Sequence, residues 1–135
     1  MLSRLKPVLG VALLAFACVA SGATDYPTRP IRAIVGFVPG GATDIMARQL
    51  GQKLSESLGQ PVIVDNRPGG SGIIAAVLGR DAPADGHTLF FGTISTLATN
   101  VATILKLQYD PLRDYAPITL TFSNPYAERS PSGPA

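Results

Sequence analysis

Three short stretches carry the residue types that could hold a ligand. They are Pro39-Gly40-Gly41, then Gly69-Gly70-Ser71-Gly72, then Gly92-Thr93 with Ser95 and Thr96. Each follows an apolar run and leads into a helix-like pattern. Glycine leaves the backbone bare of Cβ, so a ligand can come close to its N–H groups. The first N–H groups of a helix lack intrahelical acceptors and sit at the positive end of its dipole, which favours an anion there. A tight turn between strand and helix would explain Pro39-Gly40-Gly41 equally well, and the residues alone leave both roles open. Taken together, the loops offer N–H groups and hydroxyls without a strong nucleophile. Such equipment binds an anion and leaves it unchanged.

No catalytic constellation stands beside them. His87 is the sole histidine and opens an apolar run, which reads as a surface or edge position rather than a general base. Ser71 and Ser95 lie near glycines, but neither sits in a G-x-S-x-G elbow. The Walker pattern G-x-x-x-x-G-K-[ST] is absent. "GSGIIA" (70–75) does fit the dinucleotide fingerprint, following a strand-like run and opening a helix. The acidic residue expected at the end of the next strand is missing, because that strand ends in Gly92-Thr93 and Asp81 and Asp85 precede it. A nucleotide-binding α/β enzyme is therefore the distant alternative. The expectation is no enzyme, no cofactor and no metal.

The elements that must position these loops are legible from periodicity. "RPIRAIVGFV" (29–38) is β-branched and apolar and predicts a buried strand. Thr43 or Asp44 can cap the helix that follows, in which Met46, Leu50, Leu54 and Leu58 form one apolar stripe. Gly59 and Pro61 stop it. "PVIVDN" (61–66) predicts a second strand, 73–80 a short helix, "HTLFFGT" (87–93) a third strand, and 95–106 a helix with Ser95 as its cap. Strand, glycine loop and helix, three times over, predict an α/β domain with a parallel sheet and helices on both faces. "DYAPITLTFS" (114–123) starts as a fourth strand, and the proline-rich end (123–135) reads as irregular or disordered.

The first residues read as a targeting segment. Arg4 and Lys6 precede the apolar "PVLGVALLAFACVA", which gives way to "SGAT". That is the layout of a secretory signal peptide over residues 1–23, cut before Thr24 or slightly earlier after Ala20. A signal anchor is less consistent with so short a run, and a lipobox ending on Cys18 fits poorly at Ala15 and Phe16. Removing this segment takes away the one cysteine, so the mature chain has neither a disulfide nor a Cys-based metal site. It also removes two of eleven basic residues and leaves nine against nine acidic ones. Nothing basic then argues for nucleic acid or an anionic membrane surface.

Four blocks of this chain closely resemble one family. "YPTRPIRAIVGFVPGGATDIMAR", "LGQPVIVDNRPGGSGIIAA", "APADGHTLFFGTISTLATN" and "LQYDPLRDYAPI" are similar to the N-terminal part of the Bug family. These are extracytoplasmic solute receptors of tripartite tricarboxylate transporters. The resemblance runs from about Tyr26 to Ile118. It implies a periplasmic-binding-protein-like (type II) fold of two α/β lobes closing over a small carboxylate, a periplasmic location, and membrane permease subunits as partners. It also implies ligand contacts through backbone N–H groups, hydroxyls and ordered water at Phe37, Pro39, Gly40, Gly41, Thr43 and Asp44, and at Thr93, Ser95 and Thr96. Gly70, in the middle loop, completes the candidate set.

The sequence departs from the family where Val38 and Val101 replace common prolines and where Ala42 replaces a common glycine or serine. It also departs at its end. A receptor of this kind continues past "APITL" into a second lobe, whereas "TFSNPYAERSPSGPA" reads as a truncated or frameshifted terminus. The expectation is residues 24–122 as the N-terminal part of a first lobe, with weak or absent binding. A non-functional truncated product is the alternative.

Overall fold

The computed structural model describes residues 26–123. The expected signal peptide, and the tail from residue 124 onward, lie outside them.

Strand β1 (Ile31–Val35) is the centre of a three-stranded parallel sheet, with β2 (Val62–Asn66) on one side and β3 (Thr88–Phe91) on the other. The register aligns Val35 with Asn66 and Phe91, so all three strands end at one edge. Ile31, Ala33, Ile34 and Val35 are buried, as an apolar run between two helical layers should be. Each large side chain among them contributes about 1.5–3 kcal/mol on burial.

Side chains alternate across a strand, so the register sorts the helices onto opposite faces. Helix α1 (Ala42–Leu58) lies over the Ile31, Ala33, Val35 and Val62 face, where a Cβ on Gly51 would come within 3.3 Å of Val62 Cγ1. Helix α2 (Ile73–Arg80) lies over the Ile34 and Phe90 face, where a Cβ on Gly79 would come within 3.1 Å of Phe90 Cβ. Small residues thus form the contact ridge of α1: Ala47 and Gly51 are buried together with Asp44. The predicted stripe of Met46, Leu50, Leu54 and Leu58 is only half-buried, because it flanks that ridge rather than forming it. Ser55 secures the far end. Its hydroxyl donates to Gly51 O and accepts the Val62 N–H, the first of β2.

Gly59 ends α1 in the left-handed conformation, as predicted. The N-cap is Gly41, with no side-chain bond of its own, so neither Thr43 nor Asp44 holds that position. Asp44 caps from the first turn instead, accepting the Gly40 N–H at 2.9 Å.

The third helical segment differs more. It is wound as a π-helical stretch over Ser95–Thr99, in which the Asn100 N–H bonds Ser95 O, followed by α3 (Asn100–Thr103). Ser95 lies inside it rather than capping it. The start is tied by Thr96, whose Oγ1 accepts the Thr93 N–H and donates to Thr93 O. Ile104 is extended, so the helix stops before the predicted residue 106. The predicted fourth strand does not form: residues 115–123 have no regular structure. Apolar, β-branched composition makes a strand only where the backbone pairs with a neighbour, and this segment pairs with the outer edge of neither β2 nor β3. His87 is also a correction, since it is buried and packs edge-on against Tyr26.

Two contacts bind the middle loop to the third helical segment. Gly72, at φ 85°, presses against Thr96 so closely that a Cβ there would lie 2.5 Å from Thr96 Cγ2. Asn100 Nδ2 donates to Ser71 O and to Tyr109 Oη, while Tyr109 Oη donates to Thr96 O at 2.6 Å.

Both contacts are testable by urea unfolding. Gly40 has nearly the same φ of 84° but nothing within 4 Å. Gly72→Ala should therefore cost about 1–3 kcal/mol more than Gly40→Ala, the excess being overpacking alone. Equal costs would show that Thr96 yields freely. Tyr109→Phe leaves the Thr96 carbonyl and the Asn100 amide short of a buried partner, and should cost about 1–3 kcal/mol.

Candidate functional site

The β1–α1 loop and the loop after β3 face each other across an open cleft of about 330 Å³ at the carboxyl edge of the sheet. Phe37, Val38, Gly41, Ala42, Thr43, Thr93, Ile94 and Ser95 line it. Five of the ten sequence-predicted site residues therefore meet here: Phe37, Gly41, Thr43, Thr93 and Ser95. No lysine, arginine or histidine is among the lining residues. Val38 and Ile94, 61% and 56% exposed, give it an apolar rim.

Local backbone chemistry sets the first wall. Gly41 N–H bonds Val38 O across a four-residue turn with Pro39 second and Gly40, at positive φ, third. Proline in the second position and glycine at positive φ in the third are the demands of a type II turn. Gly41 then caps α1, whose first N–H groups have no acceptor within the helix. Pro39 and Gly40 are exposed in the turn and do not line the cleft.

The second wall is the start of the π-helical stretch. Thr96 is fully buried, and its hydroxyl is spent on the Thr93 backbone. Thr93 Oγ1 is different: it is buried and has no hydrogen-bond partner in the protein. A buried hydroxyl without a partner is costly unless something else satisfies it. Gly70 lies outside the cleft. It begins a single 3-10 turn (Gly70–Gly72) closed by Gly72 N–H to Gly69 O, and the fit of Gly72 against Thr96 accounts for the third glycine.

Asp44 lies beneath the first loop and is 2% exposed. Its Oδ2 accepts from Gly40 N–H and from Arg48 Nε, both at 2.9 Å, and its Oδ1 accepts from Asn66 Nδ2 at 2.9 Å. The Arg48 guanidinium first, then the Gly40 N–H and the Asn66 amide, hold its carboxyl well below the usual carboxylate range. Asn66 Nδ2 also donates to Phe37 O at 3.1 Å, and Arg48 Nη2 donates to Asn66 Oδ1. Residue spacing gave no sign of this cluster, because Asn66 lies 22 positions from Asp44 and reads locally as a strand end. Asn100 and Tyr109 were missed for the same reason.

A larger groove of about 590 Å³ runs between α3 and the segment 104–114. It is lined mainly by Val101, Ile104, Leu105, Leu107 and Leu112, and its charged residues, Asp110 and Asp114, are acidic. That chemistry does not suit an anion. Among the described residues no group of three His, Cys, Asp or Glu could hold a metal ion, and no helix is long and apolar enough to cross a membrane.

Residues 46–129 match the family described as Tripartite tricarboxylate transporter family receptor. Protein BugT of Bordetella pertussis is 40% identical over 121 residues, which are 88% of this chain and 37% of BugT. Two solved structures from Rhodopseudomonas palustris share the fold. MatC with bound malate is 38% identical at a TM-score of 0.64, over 66% of this chain and 30% of MatC. A protein solved with adipate is 44% identical at a TM-score of 0.62, over 64% of this chain and 29% of that one. The chain thus spans little more than a third of BugT and under a third of either structure. Its parallel sheet with helices on both faces is part of a periplasmic-binding-protein-like lobe. With the family matched over more than half of its residues, the chain belongs to the receptors of the tripartite tricarboxylate transporter family.

Proposed function

We propose that this chain carries the N-terminal wall of an extracytoplasmic solute receptor that captures a small organic acid and performs no chemistry on it. One carboxylate of that acid sits in the cleft between Gly41–Thr43 and Thr93–Ser95. The observation that carries this reading is the pairing of the two cleft walls, the start of α1 on one and Thr93, whose buried Oγ1 has no partner in the protein, on the other. Hydroxyls and the first N–H groups of a helix are donors a carboxylate can accept from. The malate- and adipate-bound relatives support a carboxylate ligand. The lining hydroxyls of Thr43, Thr93 and Ser95 have no histidine, lysine or carboxylate among the lining residues to activate them, which supports capture without catalysis. The family supports a periplasmic location and delivery to membrane permease subunits as part of the proposal, and the sequence pattern of residues 1–23 supports export.

The cleft is open, so a ligand on this wall stays largely hydrated. Its binding by these 135 residues alone is expected to be weaker than micromolar, because anion binding strengthens when water is excluded. The test is thermal unfolding followed by circular dichroism, with acetate, malate, adipate and citrate as a panel up to tens of millimolar. A ligand that binds only the folded chain at ten times its dissociation constant adds about 1.4 kcal/mol and raises the midpoint. At least one carboxylate should do so, and Thr93→Val should abolish that rise while leaving the ligand-free midpoint nearly unchanged. A melt blind to the whole panel, or a rise that survives Thr93→Val in full, would overturn the assignment. A micromolar dissociation constant by calorimetry would overturn the expectation of weak binding.

A further inference from the structure

The turn Val38–Gly41 has a weak closure. Its own backbone bond, Gly41 N–H to Val38 O, is 3.4 Å long. A proline followed by a glycine permits two turns that differ by a flip of the peptide between them, and the N–H of that peptide belongs to Gly40. In this structure the Gly40 N–H is taken by Asp44 Oδ2 at 2.9 Å, a charge-assisted bond shorter than the turn's own. The carbonyl of Phe37, on the near side of the turn, is held at 3.1 Å by Asn66 Nδ2. Asn66 in turn donates to Asp44 Oδ1, and Arg48 bonds both residues. Two backbone groups that bracket the turn are therefore fixed by one side-chain cluster, rooted in the end of β2 and the first turns of α1.

The same cluster settles a question of charge. A carboxylate buried at the start of a helix competes with any anion binding there, for the N–H groups and for the dipole. Asp44 takes the Gly40 N–H, which is then unavailable to a ligand, and Arg48 offsets its charge. Asp44 does not line the cleft.

We propose that Asp44, partnered by Asn66 and Arg48, is the positioning residue of the anion-binding loop. It selects the orientation of the Pro39–Gly40 peptide and so aims the start of α1 into the cleft, without touching the ligand. This rests on the carboxylate-binding reading above.

The test uses the full chain, with Asp44→Ala, Asp44→Asn and Asn66→Ala compared with the parent by two readouts. Hydrogen exchange of the Gly40 amide, followed by NMR, needs no ligand. Malate affinity from the midpoint shift needs one. Asp44→Ala should speed Gly40 exchange and weaken malate binding, each by about tenfold or more, the scale of a lost bond to a charged group. Asp44→Asn, whose amide oxygen can still accept the Gly40 N–H, should restore most of the exchange protection. Asn66→Ala frees the Phe37 carbonyl and should weaken malate binding with a smaller effect on Gly40. If Asp44→Ala lowers the midpoint yet leaves Gly40 exchange and affinity unchanged, the role is structural and the proposal is wrong. If Asp44→Ala does not fold, unchanged affinity in Asn66→Ala, or Gly40 protection no better in Asp44→Asn than in an unbonded glycine, overturns it too. A parent chain that ignores malate and the other carboxylates would sink the binding reading, while Gly40 exchange would still report whether Asp44 holds the turn.

Discussion

Among the described residues, everything hangs on a strand of five residues, four of them buried, with a helix against each face. β1 pairs with β2 and β3 on its two edges, and its side chains alternate between α1 on one face and α2 on the other. Because all pairings are parallel, three chain segments leave the sheet at the same edge. Their loops must then share a small region of space. The cleft is a consequence of that crowding, and its two walls are the loops from β1 and β3. The two helices approach the sheet closely because small residues stand at the contacts, Gly51 on Val62 and Gly79 against Phe90. Glycine inside a helix costs roughly 1 kcal/mol relative to alanine, so tight layer packing is the compensating gain.

Crowded loop backbones carry polar groups that cannot all reach water. Three side chains resolve this at the sheet edge. Asn66 satisfies Phe37 O, Asn100 satisfies Ser71 O, and Tyr109 satisfies Thr96 O. Each joins segments that are distant in sequence, by 29, 29 and 13 positions. Amides and phenols suit the task, since they reach far enough and both donate and accept. A network of this kind is rigid when every member is paired. Thr93, which lines the cleft, has a buried hydroxyl that this network leaves unpaired.

The sequence made the punctuation plain. Gly59, the glycines at 69, 70 and 72, and the apolar runs between them predicted both sheet neighbours and the two main helices to within a residue or two, because turns with positive φ admit few residue types. Two features were not legible. Residues 114–123 look like a strand, yet β structure depends on pairing with a neighbour, which no local pattern encodes. The Met46–Leu58 stripe looked like the buried face of α1, yet the closest contacts fall to Ala47 and Gly51, residues that carry little hydrophobic signal. The lining of the candidate cleft was half legible for a similar reason. Backbone-donating loops announce themselves through glycine, whereas the Asp44–Asn66–Arg48 cluster uses residues that are ordinary in caps, strand ends and helix surfaces.

The proposed recognition of a carboxylate through backbone and hydroxyl donors has an energetic consequence. The cleft contains no cationic side chain, and the nearby cation, Arg48, is engaged by Asp44 and Asn66. A helix terminus contributes about 0.3–1 kcal/mol toward an exposed anion, and up to about 2 kcal/mol when partly buried. A hydrogen bond to a charged group adds about 1.5–3 kcal/mol. Micromolar affinity requires about 8 kcal/mol after the cost of immobilising the ligand. One wall falls well short of that sum. The deficit must come from excluding water, because each of these dipolar contacts strengthens as the local dielectric falls. On the proposed reading, the loops described here would set where a carboxylate sits and which way it points, and its affinity would depend on how far water is excluded from it. That division favours fixed dipoles over a flexible charged side chain on this wall: a lysine could follow a misplaced ligand, whereas a peptide N–H rewards only the correct position.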